Sequence, residues 1–285
     1  MSISWYPGHM HKARKELAKA MLNTNVVIDV LDARIPQASS NPLLAELRGD
    51  IPCLRILNKS DLANPEITRQ WCKFLSQGPD NLCLVNGRDC FLSKESILRG
   101  CRQLIKGKAT AVKKHQVLIT GIPNVGKSTL LNQILCRKVA KTGNEPTVTK
   151  RQQRVKLDDD WYLIDSPGML WPKLEDQQAA YRLASTGTIR NTAVEAEDIA
   201  WFTAETLLQD FFPCLQKRYE LSQKPENVES FLEEIAIKNG CLGRGRAVDW
   251  NKVSELLLND FRSGRLGRIS LESPPATNPH SGTSE

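Results

Sequence analysis

Residues 121–128 (GIPNVGKS) constrain this chain more than any other stretch of it. They fit the pattern G-x-x-x-x-G-K-[ST] of a phosphate-binding loop. The apolar run before them, residues 117–120 (VLIT), predicts a buried parallel strand, and residues 129–136 (TLLNQILC) predict the helix that follows. A chance match in a glycine-bearing turn is the alternative, but the strand before and the helix after favour a nucleotide-phosphate site.

Each part of this loop has a chemical reason. The two glycines let the backbone turn so that successive N–H groups point at phosphate oxygens, and the helix N-terminus adds partial positive charge. We expect Lys127 to reach the β- and γ-phosphates and the Ser128 hydroxyl to bind Mg²⁺. The predicted nucleotide contacts in this loop are Asn124, Val125, Gly126, Lys127, Ser128 and Thr129.

A second motif, residues 58–61 (NKSD), follows a strand predicted for residues 53–57. The ionised carboxylate of Asp61 can accept hydrogen bonds from guanine N1–H and N2–H₂, donors that adenine does not offer in that arrangement. The Lys59 stem would lie along the base plane, and Asn58 would tie the base motif to the phosphate loop. Alone, the tetrapeptide is equally typical of a turn after a strand; with the phosphate loop it predicts a guanine nucleotide. The predicted contacts of this motif are Asn58, Lys59, Ser60 and Asp61.

Two further strand ends carry weaker signals. The strand predicted for residues 82–86 ends at Asn86 and Gly87, whose backbone N–H groups are predicted to reach guanine O6. Residues 165–168 (DSPG) match D-x-x-G at the end of a strand predicted for residues 161–164. There Asp165 is expected to hold the Mg²⁺ shell, and the Gly168 N–H to contact the γ-phosphate.

Length and composition limit the size and the class of protein that this chain can be. The chain has 285 residues, of which 40% are hydrophobic, enough for one α/β domain and a smaller second one. It contains no run of about 18 apolar residues, which argues against a membrane span. Its eight cysteines form no C-x-x-C pair and are interpreted as reduced thiols rather than zinc ligands. The net charge of +7 favours a polyanionic partner, although charge alone is weak evidence.

Four parts are predicted along the chain. Residues 1–23 form an N-terminal segment with a basic helix, which either lies on the surface or faces a polyanion. Residues 24–173 form a doubly wound, mostly parallel α/β domain, residues 174–271 a small all-helical domain, and residues 272–285 a disordered tail. The helical part is rich in cations with aromatic residues among them. These residues are Lys217, Arg218, Lys238, Arg244, Arg246, Arg262, Arg265 and Arg268, with Tyr219, Trp250 and Phe261. The family resemblance described below implies that this is an RNA-facing surface, and an ordinary solvated surface is the alternative.

The order of the motifs carries a resemblance. Here the base motif comes first, then the phosphate loop, then D-x-x-G, whereas ordinary GTPases run phosphate loop, D-x-x-G, base motif. The chain therefore resembles circularly permuted GTPases. Together with residues 5–10 (WYPGHM), 32–36 (DARIP) and 165–172 (DSPGMLWP), the motifs are similar to those of the ribosome biogenesis GTPase A family, bacterial proteins with mitochondrial relatives.

What the resemblance implies is a GTPase that acts in assembly of the large ribosomal subunit. The implied partners are GTP and GDP, the large subunit and its rRNA, with no DNA and no membrane, and the protein is expected to be a monomer. The N-terminus has neither the features of a secretory signal nor those of a transit peptide, so the bacterial cytoplasm is the expected location.

The resemblance also implies the catalytic residues. Residues 146–149 (PTVT) stand where the family usually has P-G-x-T, so Thr149 matches the switch threonine that binds Mg²⁺. Met169 follows D-x-x-G, where Ras-like proteins carry a water-orienting Gln. Two residues are expected to compensate: Asn124, which would help to hold K⁺, and His9, which would approach the attacking water or else only pack in its turn. The predicted catalytic set is His9, Asn124, Lys127 and Thr149, and the predicted Mg²⁺ ligands are Ser128, Thr149 and Asp165.

Two other functions fit the motifs. One is a GTP-binding protein that hydrolyses little and serves as a placeholder on RNA. The other is a GTPase that supports RNA modification, which would require a modification domain that the sequence patterns do not indicate.

Overall fold

A computed structural model describes residues 14–15, 17–107, 114–136, 153–165, 176–188 and 195–275. Within these ranges six strands form one sheet with the order β3-β2-β1-β4-β6-β5. All neighbouring strands are parallel except the edge pair β5 and β6, which is antiparallel. The predicted mostly parallel sheet is therefore confirmed. The strands are β1 (Val26–Asp32), β2 (Cys53–Asn58), β3 (Asn81–Val85), β4 (His115–Thr120), β5 (Gln153–Lys156) and β6 (Trp161–Asp165).

The central strands are mostly apolar because helices cover both faces of the sheet. Every residue of β1 is buried. Its even-numbered apolar residues, such as Ile28, pack in one cluster with Ile97 and Leu130. Its odd-numbered apolar residues belong to clusters on the other face, where Val27 packs with Leu44.

Between these strands, the described residues form five α-helices. Asparagine or serine caps three of them: Asn41 accepts from the N–H of Leu43, Asn64 from that of Glu66, and Ser93 from that of Ser96. The helices are α1 (Pro36–Ser39), α2 (Pro42–Arg48), α3 (Pro65–Leu75), α4 (Lys94–Ile105) and α5 (Lys127–Leu135). Before β1, residues 14, 15 and 17–21 are helical as predicted; the other residues of the predicted N-terminal helix lie outside the described ranges or in the turn before β1.

From residue 177 on, the described part of the chain, called here the helical half, forms helices, as the three-to-four spacing predicts. Its helices share a core that includes Leu207, Phe231 and Leu257. One helix was not predicted: Phe212–Tyr219 begins with a proline at its second position, where the missing N–H would have no intrahelical partner. The helices are α6 (Gln177–Ser185), α7 (Ala196–Asp210), α8 (Phe212–Tyr219), α9 (Val228–Lys238) and α10 (Trp250–Ser263). None of the helices in the described ranges is both long and apolar enough to cross a membrane.

Residues 264–272, called here the C-terminal strap, return from α10 to the α/β part. The N–H of Ile269 donates to Leu62 O at 3.0 Å, and that of Leu271 donates to Arg34 O at 2.9 Å. The carboxylate of Glu272 accepts from the N–H of Gln37 at 2.8 Å, at the start of α1.

Two expectations are wrong. Glu272 is only 8% exposed, so the predicted disordered tail does not begin there; residues 276–285 lie outside the described ranges. Tyr219 and Phe261 do not stand among exposed cations, because each is 3% exposed and packs in the helical core. Trp250 is only partly buried.

Candidate nucleotide-binding site

The phosphate loop joins the carboxyl end of β4 to the N-terminus of α5. A Cβ on Gly121 would lie 2.7 Å from Val30 O, and a Cβ on Gly126 would lie 2.4 Å from Asn58 Nδ2. Gly126 also has a φ of +92°, so both positions require glycine. The loop thus delivers the first N–H groups of α5 to one point, an arrangement that binds anions.

The base motif follows β2 and touches the phosphate loop directly. Asn58 Nδ2 donates to Val125 O at 2.7 Å, which is the predicted tie between the two motifs. Lys59 has a left-handed backbone with φ of +59°, and its Nζ donates to Asn124 O at 2.7 Å. The two motifs, 60 residues apart in the chain at their nearest, therefore form one structure.

Asn86 and Gly87 do not present their N–H groups as predicted. The N–H of Asn86 donates to Leu57 O at 2.9 Å, and that of Gly87 donates to Cys90 O at 3.1 Å. Both groups are thus already used within the protein. The side chain of Asn86 instead fixes the base motif, since its Nδ2 donates to Asn58 Oδ1 at 2.7 Å.

Gly87 lies close against the base motif. A Cβ there would be 2.4 Å from Ser60 Oγ and 2.8 Å from the backbone nitrogen of Asp61. The next residue, Arg88, donates its N–H to Asp61 Oδ1 at 3.2 Å. The carboxylate of Asp61 therefore lies beside the loop at Gly87, and this loop can come so close only because residue 87 is glycine.

These motifs enclose a cleft of about 340 Å³. Its walls include predicted residues of both motifs, among them Asn58, Lys59, Asp61, Gly126 and Thr129. Sequence patterns did not indicate several other lining residues. These are Arg34, Leu62, Arg88, Phe91, Gln133, Thr186 and Arg262. Thr186 and Arg262 come from the helical half of the chain, and no local pattern marks a contact across such a sequence separation.

The phosphate end of the site contains a buried ion pair between Lys127 Nζ and the Asp165 carboxylate. Their side chains are 6% and 1% exposed. They meet because β4 and β6 are adjacent and parallel, so both strands end at the same edge. The Asp165 carboxylate and the Ser128 hydroxyl are hard oxygen ligands of the kind Mg²⁺ takes when nucleotide phosphates complete its shell. The described residues fit that ion and contain no group of three or more acidic, His or Cys side chains that would hold a metal without phosphates.

A second buried charge cluster lies behind the base motif. Asp32, at the end of β1, is fully buried and pairs with Arg34 and Lys59. Burial alone would raise the pKa of Asp32, but the charges and hydrogen bonds of Arg34 and Lys59 hold it well below its usual range. Burial lowers the pKa of Lys59, which the Asp32 carboxylate partly offsets.

The last carbonyls of α6 and its following turn are held by residues from both halves of the chain. Arg262 donates to Ala184 O at 2.8 Å and to Ser185 O at 3.0 Å. Asn124 of the phosphate loop donates from Nδ2 to Gly187 O at 3.0 Å. The predicted K⁺-binding side chain thus also contacts the helical half.

The remaining predicted site residues, His9, Thr149 and Gly168, lie outside the described ranges, as do residues 146–149 and Met169.

Comparisons with known proteins agree with this geometry. Residues 116–237 match the family described as 50S ribosome-binding GTPase. A protein of Bacillus licheniformis named Ribosome biogenesis GTPase A is 38% identical to this chain, over 96% of this chain and 99% of that protein. The Mus musculus protein named Mitochondrial ribosome-associated GTPase 1 is 30% identical, over 94% and 89%. A GDP-bound structure of TM YlqF has a TM-score of 0.66 at 23% identity, covering 91% of this chain and 99% of that one, which shows a shared fold.

Proposed function

The chain belongs to the ribosome biogenesis GTPase A family, whose members hydrolyse GTP in ribosome biogenesis, and from this we propose that its client is the large ribosomal subunit. On that particle it binds rRNA in its GTP-bound state and leaves after hydrolysis. The 50S ribosome named in the matched family and the net charge of +7 support this client. The observation that carries GTP as the ligand is the hydrogen bond from Asn58 Nδ2 to Val125 O, which joins the base motif and the phosphate loop around one cleft.

For the nucleotide itself, we propose the following contacts. Asp61 accepts from guanine N1–H and N2–H₂, and the Lys59 stem lies along the base. Lys127 and the N–H groups of residues 124–129 bind the phosphates, and Gly168 contacts the γ-phosphate. Asn86 and Gly87 hold the base motif in place, Asn86 through its hydrogen bond to Asn58 and Gly87 through its close packing against Ser60 and Asp61. Mg²⁺, which GTPases use to neutralise phosphate charge, is bound by Ser128, Asp165 and Thr149.

For hydrolysis, we propose that Asn124 contributes to a K⁺ site and that His9 and Thr149 act on the attacking water and the γ-phosphate. A monovalent cation there would supply the charge that an arginine finger supplies elsewhere. Turnover should be faster in K⁺ than in Na⁺ at equal ionic strength, and Asn124→Ala should remove the difference. Equal rates in the two salts would exclude the ion from the mechanism.

Location and oligomeric state follow as proposals. The relatives from Bacillus and Priestia share 36–38% identity with this chain, which supports the bacterial cytoplasm. We propose that the protein acts as a monomer, since one chain contains both the base motif and the phosphate loop.

Phosphate release at saturating GTP, with purified large or small subunits added, tests the client. We expect multiple turnover to be stimulated by the large subunit alone. Equal stimulation by both subunits, or none, would reject this client. GTP-dependent binding to the large subunit without turnover would favour the placeholder function.

A further inference from the structure

Arg34 lies at the centre of a buried chain of charged contacts that ends at the base motif. Its side chain is 1% exposed, and its Nε and Nη2 donate to Asp32 Oδ1 and Oδ2 at 2.9 and 2.8 Å. The same Asp32 Oδ2 accepts from Lys59 Nζ at 3.0 Å. One carboxylate therefore fixes two cations, and the second of them continues to Asn124 O in the phosphate loop.

The other end of this chain of contacts reaches the helical half. Arg34 Nη2 lies 3.4 Å from Thr186 O, and the guanidinium carbon lies 5.5 Å from the centre of the Phe261 ring. The neighbouring carbonyl, Gly187 O, accepts from Asn124. Two consecutive carbonyls of the turn after α6 are thus bound by these two residues. Arg34 supports the base motif, and Asn124 belongs to the phosphate loop.

We propose that Arg34 is a positioning residue: through Asp32 it holds Lys59 in place for the nucleotide base, and it links occupancy of the cleft to the turn at residues 184–188. This inference rests on the proposed function, in which Lys59 contacts guanine. Arginine suits the position because its planar fork makes two parallel bonds to one carboxylate and keeps Nη2 within reach of the turn. Lysine, a single point charge, would retain the charge but not the fork.

Nucleotide affinity is the first readout, with Arg34→Lys compared against Arg55→Lys. Arg55 serves as the control: it is partly buried, and it donates to Leu75 O at 3.1 Å and to Asn81 Oδ1 at 2.9 Å. We expect Arg34→Lys to weaken GTP and GDP alike by about 5- to 150-fold, the usual range of coupling between sites. Arg55→Lys should change either affinity by less than about threefold, because it lacks a contact to Lys59 or its partners among the described residues.

Hydrogen exchange of the turn gives a readout that a merely structural role would not change. In the unmodified protein, saturating GTP should slow exchange of the amides at residues 184–188. In Arg34→Lys, at GTP concentrations that again saturate the site, most of that slowing should be lost. Coupling is reciprocal, so the loss of affinity and the loss of protection should occur together.

If Arg34→Lys does not fold, Asp32→Asn provides a second test, because it keeps the shape of the network. Asp32→Asn removes the shared charge with little change in volume, and the same two effects are expected. The inference is overturned if Arg34→Lys, or Asp32→Asn in its place, binds GTP as Arg55→Lys does, or if the turn keeps its full response to GTP. Failure of the proposed guanine site is detected separately, because an Asp61→Asn variant with unchanged base preference would reject that site whatever Arg34 does.

Discussion

Asp61 is the residue on which the choice of base depends. Its carboxylate stands at the cleft and accepts from the N–H of Arg88. Asp61→Asn replaces one acceptor by a donor, so guanine N1–H and N2–H₂ lose their partner while the extra carbonyl of xanthine gains one. We expect GTP affinity to fall by at least about tenfold and xanthosine triphosphate to become the better ligand.

Competition binding with GTP and xanthosine triphosphate measures this change in nucleotide preference. Asp50→Asn, at an exposed position in the turn after α2, is the matched control and should leave both affinities unchanged. If Asp61→Asn binds GTP as tightly as the unmodified protein, the carboxylate does not contact the base.

A different carboxylate, Asp29, sets a pH dependence of stability. It lies in the middle of β1, is 4% exposed, and its Oδ1 has no hydrogen-bond partner among the described residues. Burial raises the pKa of Asp29 from 3.8 to about 7, although Arg55 and Arg48 oppose the rise. The folded state therefore keeps a proton that the unfolded state releases, and between about pH 4 and pH 7 the free energy of unfolding should fall as the pH rises.

Asp29→Asn should remove this penalty. Relative to the unmodified protein, the variant should gain stability from pH 4.5 to pH 8, by an amount on the order of 4 kcal/mol for a rise of this size. Urea unfolding at several pH values measures the difference, with Asp50→Asn as a control that shows no such trend. A constant difference between variant and parent at all pH values would contradict a raised pKa.

Residues at strand ends show which contacts can be predicted from the sequence alone. The tie between Asn58 and the phosphate loop was predictable, because both motifs end parallel strands and must meet at one edge of the sheet. The role of Asn86 was not, because its N–H is taken by Leu57 O and its side chain by Asn58. Such local pairing depends on the neighbouring strand, which the motif itself does not contain.

At the level of elements, the short runs before the motifs predicted β2, β3, β4 and β6. Two elements were not predicted. The helix Phe212–Tyr219 has a proline in its first turn, a position that is compatible with a helix. The C-terminal strap was not predicted because its contacts are with distant backbone groups, such as Leu62 O and Arg34 O, which no local pattern marks.

The strap makes a prediction of its own. Leu266 and Ile269 are 3% and 1% exposed, and Asn64, three residues after Asp61, donates its N–H to Ser270 Oγ at 3.0 Å. A chain that ends at residue 263 should therefore lose several kcal/mol of stability, at about 1.5–3 kcal/mol for each buried aliphatic side chain. It should also bind GTP more weakly, because the loop after the base motif loses its support.

Thermal unfolding and nucleotide binding of the two chain lengths test this, with a chain that ends at residue 275 as the control. The control keeps the strap and should match the full chain in both measurements. Unchanged GTP affinity in the shorter chain would show that the strap stabilises the fold without supporting the base motif.

For the molecule as a whole, the order of the motifs predicted a circularly permuted GTPase, which no single element indicates. Base motif, phosphate loop and D-x-x-G occur in permuted order, yet the strand order β3-β2-β1-β4-β6-β5 brings all three to one sheet edge. In sequence, β6 is followed by the helical half, and the turn after α6 contacts the phosphate loop through Gly187 O. The sequence predicted both halves, but not the contacts through which they meet.

The cations of the helical half are less available for RNA than their number suggests. Arg218 and Arg265 pair with the buried carboxylate of Asp260, and Arg268 pairs with Asp89. Arg244 and Arg246, by contrast, are exposed in a short turn that the bridge between Leu242 and Val248 closes. If the proposed client is correct, this turn is the part of the helical half best placed to contact rRNA phosphates.

Salt dependence of large-subunit binding provides the test of that turn. Each phosphate neutralised by a cation releases counterions, so affinity should fall by roughly one log unit per log unit of salt for each contact. Replacing Arg244 and Arg246 together by Ala should lower the slope by about two and reduce the stimulation of GTP hydrolysis, while GTP affinity stays unchanged. The control removes the same charge elsewhere, with Arg69 and Arg99, exposed on α3 and α4, both replaced by Ala. Binding and phosphate release are measured with large subunits at several concentrations of a salt other than K⁺, at constant K⁺. If both double variants lower the slope equally, the turn makes no particular contact and only the overall charge of the protein matters.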